Sequence, residues 1–355
     1  MEYLDLQHKM EHKLRMLICV TIYNETKSEL YKTLQGIMEN LESFLDHSIS
    51  PYDIAVVVIF DGILKMDESM RTYFSTLDQE LLLNSALSIE SRLAEIKKSS
   101  DAYIKAAEKS PLDFQKRKKE VAQGSYLGPT IPKRTSICYQ IQLGVRDFAE
   151  CSLIRRPEYL HLAKLNVFLC VKMVNKQKLS SHLWFFQGFC KTFQPEYCCL
   201  VDCGTKPEKE GIWNFFRALE TDIQVGGVCG YMGVRIEEEN NKIKQLPFKF
   251  DVEGSENFIY RGYLHLVNFI LLLANYFIGG LEKVFSIQKA QEFEYCFAHI
   301  FDKGFESFFG FIAVLPGAWS AYRWDALSED NLLEREYLQT VRERGGFYNF
   351  YLNRC

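Results

Sequence analysis

An α/β fold, built on a mostly parallel mixed sheet flanked by helices and carrying an inserted helical segment, is predicted by three features of the sequence. The first is a set of uninterrupted apolar runs rich in β-branched residues, the pattern of strands buried on both faces of a sheet. The second is a strand–helix–strand order with short connections, which starts the sheet parallel. The third is a polar stretch of helical spacing, from about Met70 to Glu120, between two apolar halves. With 355 residues and 47% hydrophobic content, the chain can bury a full core. We read residues 1–355 as one domain, with a core over 15–327 and an insertion over 70–125.

In chain order, Leu17 to Val20 is the first strand. Thr26 is placed to cap a helix whose apolar stripe is Leu30, Leu34, Ile37, Met38, Leu41 and Leu45. Ile54 to Phe60 is the second strand. After the helical excursion, Gly128-Pro129 and Ile131-Pro132 mark a loop over Gly124 to Arg134. A third strand runs from Asn166 to Val171. Ser180 or Ser181 is expected to cap a helix carrying Trp184, Phe185, Phe186 and Phe189. That helix leads into the strand Tyr197 to Val201. An aromatic helix with Trp213, Phe215 and Phe216 follows, and then the apolar run Val225 to Tyr231.

Composition narrows the function. A net charge of −4 argues against a nucleic-acid partner. The basic run Lys116 to Lys119 reads as a solvated helix face. The 11 cysteines contain no Cys-X-X-Cys pair, and Cys19, Cys170, Cys198, Cys199 and Cys229 lie in apolar runs, as small buried hydrophobes do in a reducing compartment. Met1 to Leu14 is polar and charged, so no signal peptide is expected. Leu264 to Leu281 is apolar but interrupted by His265, Asn268 and Asn275, which favours a buried or membrane-surface helix over a spanning one.

The chemistry is expected where the strands end. Thr21, Tyr23 and Glu25 follow the first strand, Asp61 the second and Lys172 the third, and Asp202 closes the fourth. Open α/β sheets bind ligands at their carboxyl edge. Polar groups gathered there read as one pocket with three carboxylates and one ammonium. Asp202, before Cys203-Gly204-Thr205, suits a divalent cation that neutralises a pyrophosphate. A helix-capping Asp fits the segment equally well.

Together these motifs resemble chitin synthases, processive inverting family-2 glycosyltransferases. The resemblance rests on Thr21 to Glu25, Asp61-Gly62, Ser181-His182-Leu183-Trp184-Phe185-Phe186 and Leu200 to Pro207. It continues through Gln291-Glu292-Phe293-Glu294-Tyr295, Asp302 to Ser307 and Val314 to Arg323, over roughly residues 15 to 327. It implies a GT-A nucleotide-sugar-binding fold on the cytoplasmic face of a membrane, plasma membrane or vesicle. The implied substrates are UDP-N-acetylglucosamine and a chitin oligomer; membrane association and a homodimer or synthase partner are compatible with it.

The resemblance also implies roles. Tyr23 and Glu25 would lie against uridine, with Thr21 in the same site. Asp61 would hydrogen-bond uracil, and Lys172 would stand by the nucleotide. Asp202 would hold Mg²⁺ or Mn²⁺ mostly through phosphate oxygens and water. Gln291 and Glu294 with Tyr295 would line the reaction chamber, and Asp302 would lie near the acceptor. Gly317 and Ala318 form a tight turn before Trp319 and Tyr322, which would stack on acceptor sugar, while Ser320 and Arg323 supply hydrogen bonds.

Two positions depart from the family pattern: Leu183 stands where Arg is usual, and Trp319 where smaller residues are common. The sequence reaches Cys355 without the family's Glu-Asp-Arg and Gln-Arg-Arg-Arg-Trp motifs. The expectation is therefore a donor-binding chain with little polymerisation alone, with a nucleotide-sugar-binding pseudoenzyme or regulatory partner of a synthase as the alternative.

Overall fold

A computed structural model of the chain describes residues 14–80, 88–106, 111–122, 136–173, 175–233 and 287–328. Contacts divide the chain into two compact units, Met1–Gly230 with Leu315–Cys355, and Tyr231–Val314. The apolar stretch Leu264 to Leu281 and the loop Gly124 to Arg134 lie outside the described residues, as does Glu329 onward.

The first unit is built on a seven-stranded sheet. Its strands are β1 (Met16–Ile22), β2 (Ile54–Phe60), β3 (Ser136–Gly144), β4 (Lys164–Lys172), β5 (Tyr197–Asp202), β6 (Gly227–Cys229) and β7 (Trp319–Arg323). Their spatial order is β3-β4-β2-β1-β5-β7-β6. The four central strands are mutually parallel, as their continuous apolar runs predict. β3 at one edge and β7 with β6 at the other run antiparallel. All seven residues of β2 are buried, so both faces of the sheet are covered.

One face packs on the aromatic segment after β4. The core there joins Cys19, Ile59, Cys170 and Leu200 from four strands to Leu183, Phe185, Phe186 and Phe189. The opposite face carries two helices, α1 (Lys27–Asp46) and α6 (Gly211–Thr221), whose rings meet at Phe44–Phe216 and reach the sheet at Tyr197–Phe216. Thr26 caps α1 in a full capping box with Glu29, and the expected stripe is buried except for half-buried Leu45.

The insertion is helical, as α2 (Glu68–Glu80), α3 (Ile89–Lys105) and α4 (Pro111–Ala122). It is tied to the sheet edge where Asp78 accepts hydrogen bonds from Tyr139 Oη at 2.8 Å and Ile89 N at 2.9 Å. Lys116, Lys118 and Lys119 are exposed on α4, as the charge run implies.

Two expectations need correction, and one strand went unread. The helix before β5 starts at Gln177, not at Ser180 or Ser181: α5 (Gln177–Leu183) continues as a π-helical turn, Trp184–Cys190. Both serines lie inside it, buried against β4. Trp319 to Arg323, read from sequence only as site residues after a tight turn, is strand β7. Cys229 is half-buried, because β6 is short and pairs on one side only.

In the second unit the described helices are α7 (Ile287–Cys296), a π-helical turn (Phe297–Asp302) and α8 (Lys303–Phe308). A last short helix, α9 (Trp324–Ser328), belongs to the first unit and buries Trp324 in its core.

Candidate active site at the carboxyl edge

Strand parity assembles the site. Side chains alternate between the two faces of a strand. Thr21, Asp61, Lys172 and Asp202 therefore share the face of Cys19, Ile59, Cys170 and Leu200, two residues before each, and α5 crosses that face. The register aligns Thr21 with Asp202 and with Ile59, and Phe60 with Val171, so Thr21 and Asp202 lie level with each other, while Asp61 and Lys172 lie side by side two residues further along their strands.

They form two ion pairs. In the inner one, Lys172 Nζ donates to Asp61 Oδ1 at 2.7 Å, Ser180 Oγ at 3.1 Å and Ser181 Oγ at 3.2 Å. Those bonds use all three ammonium donors. Lys172 is buried, which lowers its pKa, while the charge of Asp61 opposes the shift. Asp61 Oδ1 also accepts from Lys176 N at 3.0 Å. Lys172 thus orients Asp61 from below. Lys172 therefore stands beside Asp61 as a fixed positive group.

In the outer pair, Asp202 Oδ1 accepts from Thr21 Oγ1 at 3.0 Å and Oδ2 from Lys178 Nζ at 2.6 Å. Asp202 is one-third exposed and Lys178 44% exposed, so this pair opens to solvent. Lys178 is the residue that sequence reasoning missed: its ammonium reaches this edge in addition to that of Lys172. Its signal is its place on the first turn of the helix that crosses the strand ends. His182, on the same helix, is buried and feels both pairs. Burial first, then the charge of Lys178, pushes its pKa down to about 4, leaving a neutral imidazole at pH 7.

The turn after Asp202 is held from below by α1. Gly204, at φ +89°, donates its N–H to Thr33 Oγ1 at 3.0 Å. Asn40 donates to Glu208 O at 2.9 Å and accepts from Ile212 N at 2.9 Å, which caps α6. Gly36 abuts Pro207, and a Cβ there would lie 2.7 Å from Pro207 O.

Other predicted residues divide by place. Glu25 turns back to accept from Tyr23 N at 2.6 Å and Asn24 N at 3.1 Å, fixing the loop after β1. Ala318 O accepts from Asp202 N at 3.1 Å, and Gly317 lies beside His182 and Lys178. These two are at the edge. Trp319 packs on Phe215 across the opposite face. Ser320 is buried and donates to Tyr322 Oη at 3.1 Å. Arg323 pairs with Tyr197, at the amino end of β5, and donates to Val225 O at 3.3 Å and Asp222 O at 3.2 Å, and to Leu219 O. A guanidinium bound to carbonyls at the far end of the sheet is structural, which corrects its assignment to the acceptor. Gln291, Glu294, Tyr295 and Asp302 lie in the second unit, where the first three are exposed on α7 and Asp302 is exposed at the end of the π-helical turn.

The donor set also limits the metal. No group of three or more His, Cys, Asp or Glu side chains could cage an ion among the described residues. A single partly exposed carboxylate, Asp202, which holds an ammonium at 2.6 Å, is the acidic group that this edge offers an ion. That suits an ion such as Mg²⁺, which takes one or two carboxylates and otherwise substrate phosphates and water.

A family model described as a chitin synthase-like glycosyltransferase domain matches residues 16–79, 149–253 and 281–348. The matched segments include β1, β2, β4, β5 and the second unit's described helices, and the first of the two gaps between them falls over α3, α4 and β3. Chitin synthase C of Aspergillus oryzae is 28% identical over 351 residues, covering 95% of this chain and 29% of the relative. The chain thus spans less than a third of the length of that curated relative.

Proposed function

The chain belongs to the chitin synthase-like glycosyltransferase family, and from that premise we propose that it transfers N-acetylglucosamine from UDP-N-acetylglucosamine to a growing β-1,4-linked chitin chain, with inversion and with Mg²⁺ or Mn²⁺. The observation that carries this reading is the gathering of Thr21, Asp61 and Asp202 on one face of the sheet at its carboxyl edge, where α/β folds bind nucleotides. In this reading Tyr23, Glu25 and Asp61 form the nucleoside side of the site, and Asp61 meets the base in the orientation Lys172 and Lys176 N fix. Thr21 and Asp202 hold the cation, which when bound neutralises the diphosphate and makes UDP a better leaving group. Gly317 and Ala318 border the sugar. Gln291, Glu294, Tyr295 and Asp302 belong to the acceptor side.

The same reading puts the enzyme at the cytoplasmic face of a membrane, plasma membrane or vesicle, with a homodimer or a longer synthase as partner. Among the described residues no helix is long and apolar enough to cross a membrane, so attachment would involve other segments or a partner. The test pairs UDP-N-acetylglucosamine binding, with and without Mg²⁺, with UDP release and sugar incorporation into insoluble polymer. Metal-dependent UDP-sugar binding is expected, with slow UDP release and little polymer from this chain alone. Absence of UDP-sugar binding in the presence of either metal would overturn the assignment.

A further inference from the structure

We propose that Lys178 is a built-in counter-ion that competes with the divalent cation for Asp202 and passes to the diphosphate when the nucleotide arrives, so that cation and nucleotide bind cooperatively. The inference rests on reading Asp202 as the metal ligand. Both oxygens of Asp202 are already engaged, Oδ1 by Thr21 at 3.0 Å and Oδ2 by Lys178 at 2.6 Å. A cation arriving alone must displace the ammonium, which then loses its anion. A cation arriving with a diphosphate brings a replacement anion for Lys178. The displacement is therefore disfavoured for the free ion and relieved for the complex.

Three observations make Lys178 the movable partner. Its side chain is 44% exposed, whereas that of Lys172 is 3% exposed and has every donor used. Its backbone is fixed, since Ser180, Ser181 and Leu183 on the same helix are buried. Gly317, which has no side chain, lies next to it: an added Cβ would sit 3.8 Å from Lys178 Cε and Nζ and 3.1 Å from His182 Cε1. A side chain at 317 would narrow the route by which the ammonium leaves Asp202.

Coupling of this kind is reciprocal: whatever the nucleotide does to cation affinity, the cation does to nucleotide affinity. The experiment measures Mn²⁺ binding by electron paramagnetic resonance with and without UDP, and UDP binding in EDTA by calorimetry, on the full chain. Wild type is compared with Lys178→Met, Lys178→Arg and Asp202→Asn, each first matched to wild type in circular dichroism and unfolding midpoint. The strength of partly exposed ion pairs implies that Lys178→Met binds Mn²⁺ alone about 1.4- to 5-fold more tightly. Loss of a charge-assisted contact to phosphate implies that it binds UDP in EDTA about tenfold more weakly. Lys178→Arg should keep wild-type behaviour in both. Unchanged or weaker Mn²⁺ binding by Lys178→Met without UDP would overturn the proposal. Asp202→Asn separates the two failures. If it binds Mn²⁺ and UDP as wild type does, the metal assignment falls and the Lys178 proposal with it; if it loses Mn²⁺ while Lys178→Met matches wild type, only the Lys178 proposal falls.

Discussion

Replacing Asp61 with Ala should destabilise the first unit more than any other single change at the edge. Lys172 would keep two hydroxyl partners, Ser180 and Ser181, but lose its countercharge at 2.7 Å. The pair is nearly inaccessible, with side chains 3% and 9% exposed, so water cannot replace the carboxylate. Breaking a buried pair from one side costs about 3–5 kcal/mol. Removing both charges in Asp61→Ala/Lys172→Met should recover much of that, because an apolar replacement of a whole pair is often near neutral. The pH dependence has a definite sign. Burial already holds Lys172 below its ordinary 10.5, and loss of Asp61 removes the charge that opposes this shift. A group whose folded pKa lies below its unfolded value destabilises the fold while it is protonated, and that penalty fades as pH rises toward 10.5. The gap between wild type and Asp61→Ala should therefore narrow from pH 7 to pH 10. Urea denaturation followed by tryptophan fluorescence measures both effects. A single variant within about 0.5 kcal/mol of wild type, the range of ordinary surface changes, would refute the buried-pair reading.

Asp202→Asn should abolish most metal-dependent UDP binding while leaving the unfolding midpoint near that of wild type, because the outer pair is exposed; calorimetry with UDP and Mg²⁺ checks this. His182 titrates at about 4 in the fold against an ordinary 6.5, so its contribution is full above 6.5 and is lost as pH falls toward 4. The loss should reach about 3 kcal/mol at 1.36 kcal/mol per pH unit, and His182→Gln should flatten the stability profile of acid titrations in that window. Gly36→Ala would press a Cβ to 2.7 Å from Pro207 O and 2.8 Å from its Cδ. Overpacking of that kind costs about 1–3 kcal/mol, and it should also weaken UDP binding, since the displaced turn is the one that follows Asp202.

The parallel centre of the sheet was legible because burial on both faces leaves one kind of sequence, a continuous apolar run, and because each run stops at a polar residue. The edges were not. In β3 only Tyr139 and Leu143 of nine residues are buried, so the strand carries a polar, alternating pattern without the apolar run that marked the centre. β7 escaped for a different reason. Trp319, Ser320, Tyr322 and Arg323 are residue types that bind sugars well, and nothing local reveals that a strand adds to β5 from more than a hundred positions away. Their polar atoms serve the fold: Ser320 and Tyr322 bond each other, and Arg323 holds the carbonyls behind α6.

Lys178 marks where sequence reading runs out most informatively. Parity along β1, β2, β4 and β5 places Thr21, Asp61, Lys172 and Asp202 on one face without any structure. What parity cannot give is the element that crosses that face. The crossing helix, α5, serves both ion pairs at once: Ser180 and Ser181 hold Lys172, the N–H of Lys176 just before it holds Asp61, and Lys178 holds Asp202. Four contacts from one short segment tie a buried, fixed pair to an exposed, exchangeable one. A shift of this helix that loosened Lys172 would also move Lys178, so the order of the inner pair sets the geometry available to the outer pair. Ser180→Ala/Ser181→Ala should accordingly weaken cation-dependent UDP binding although neither hydroxyl touches Asp202, and unchanged binding in that double variant would show that the two pairs act independently.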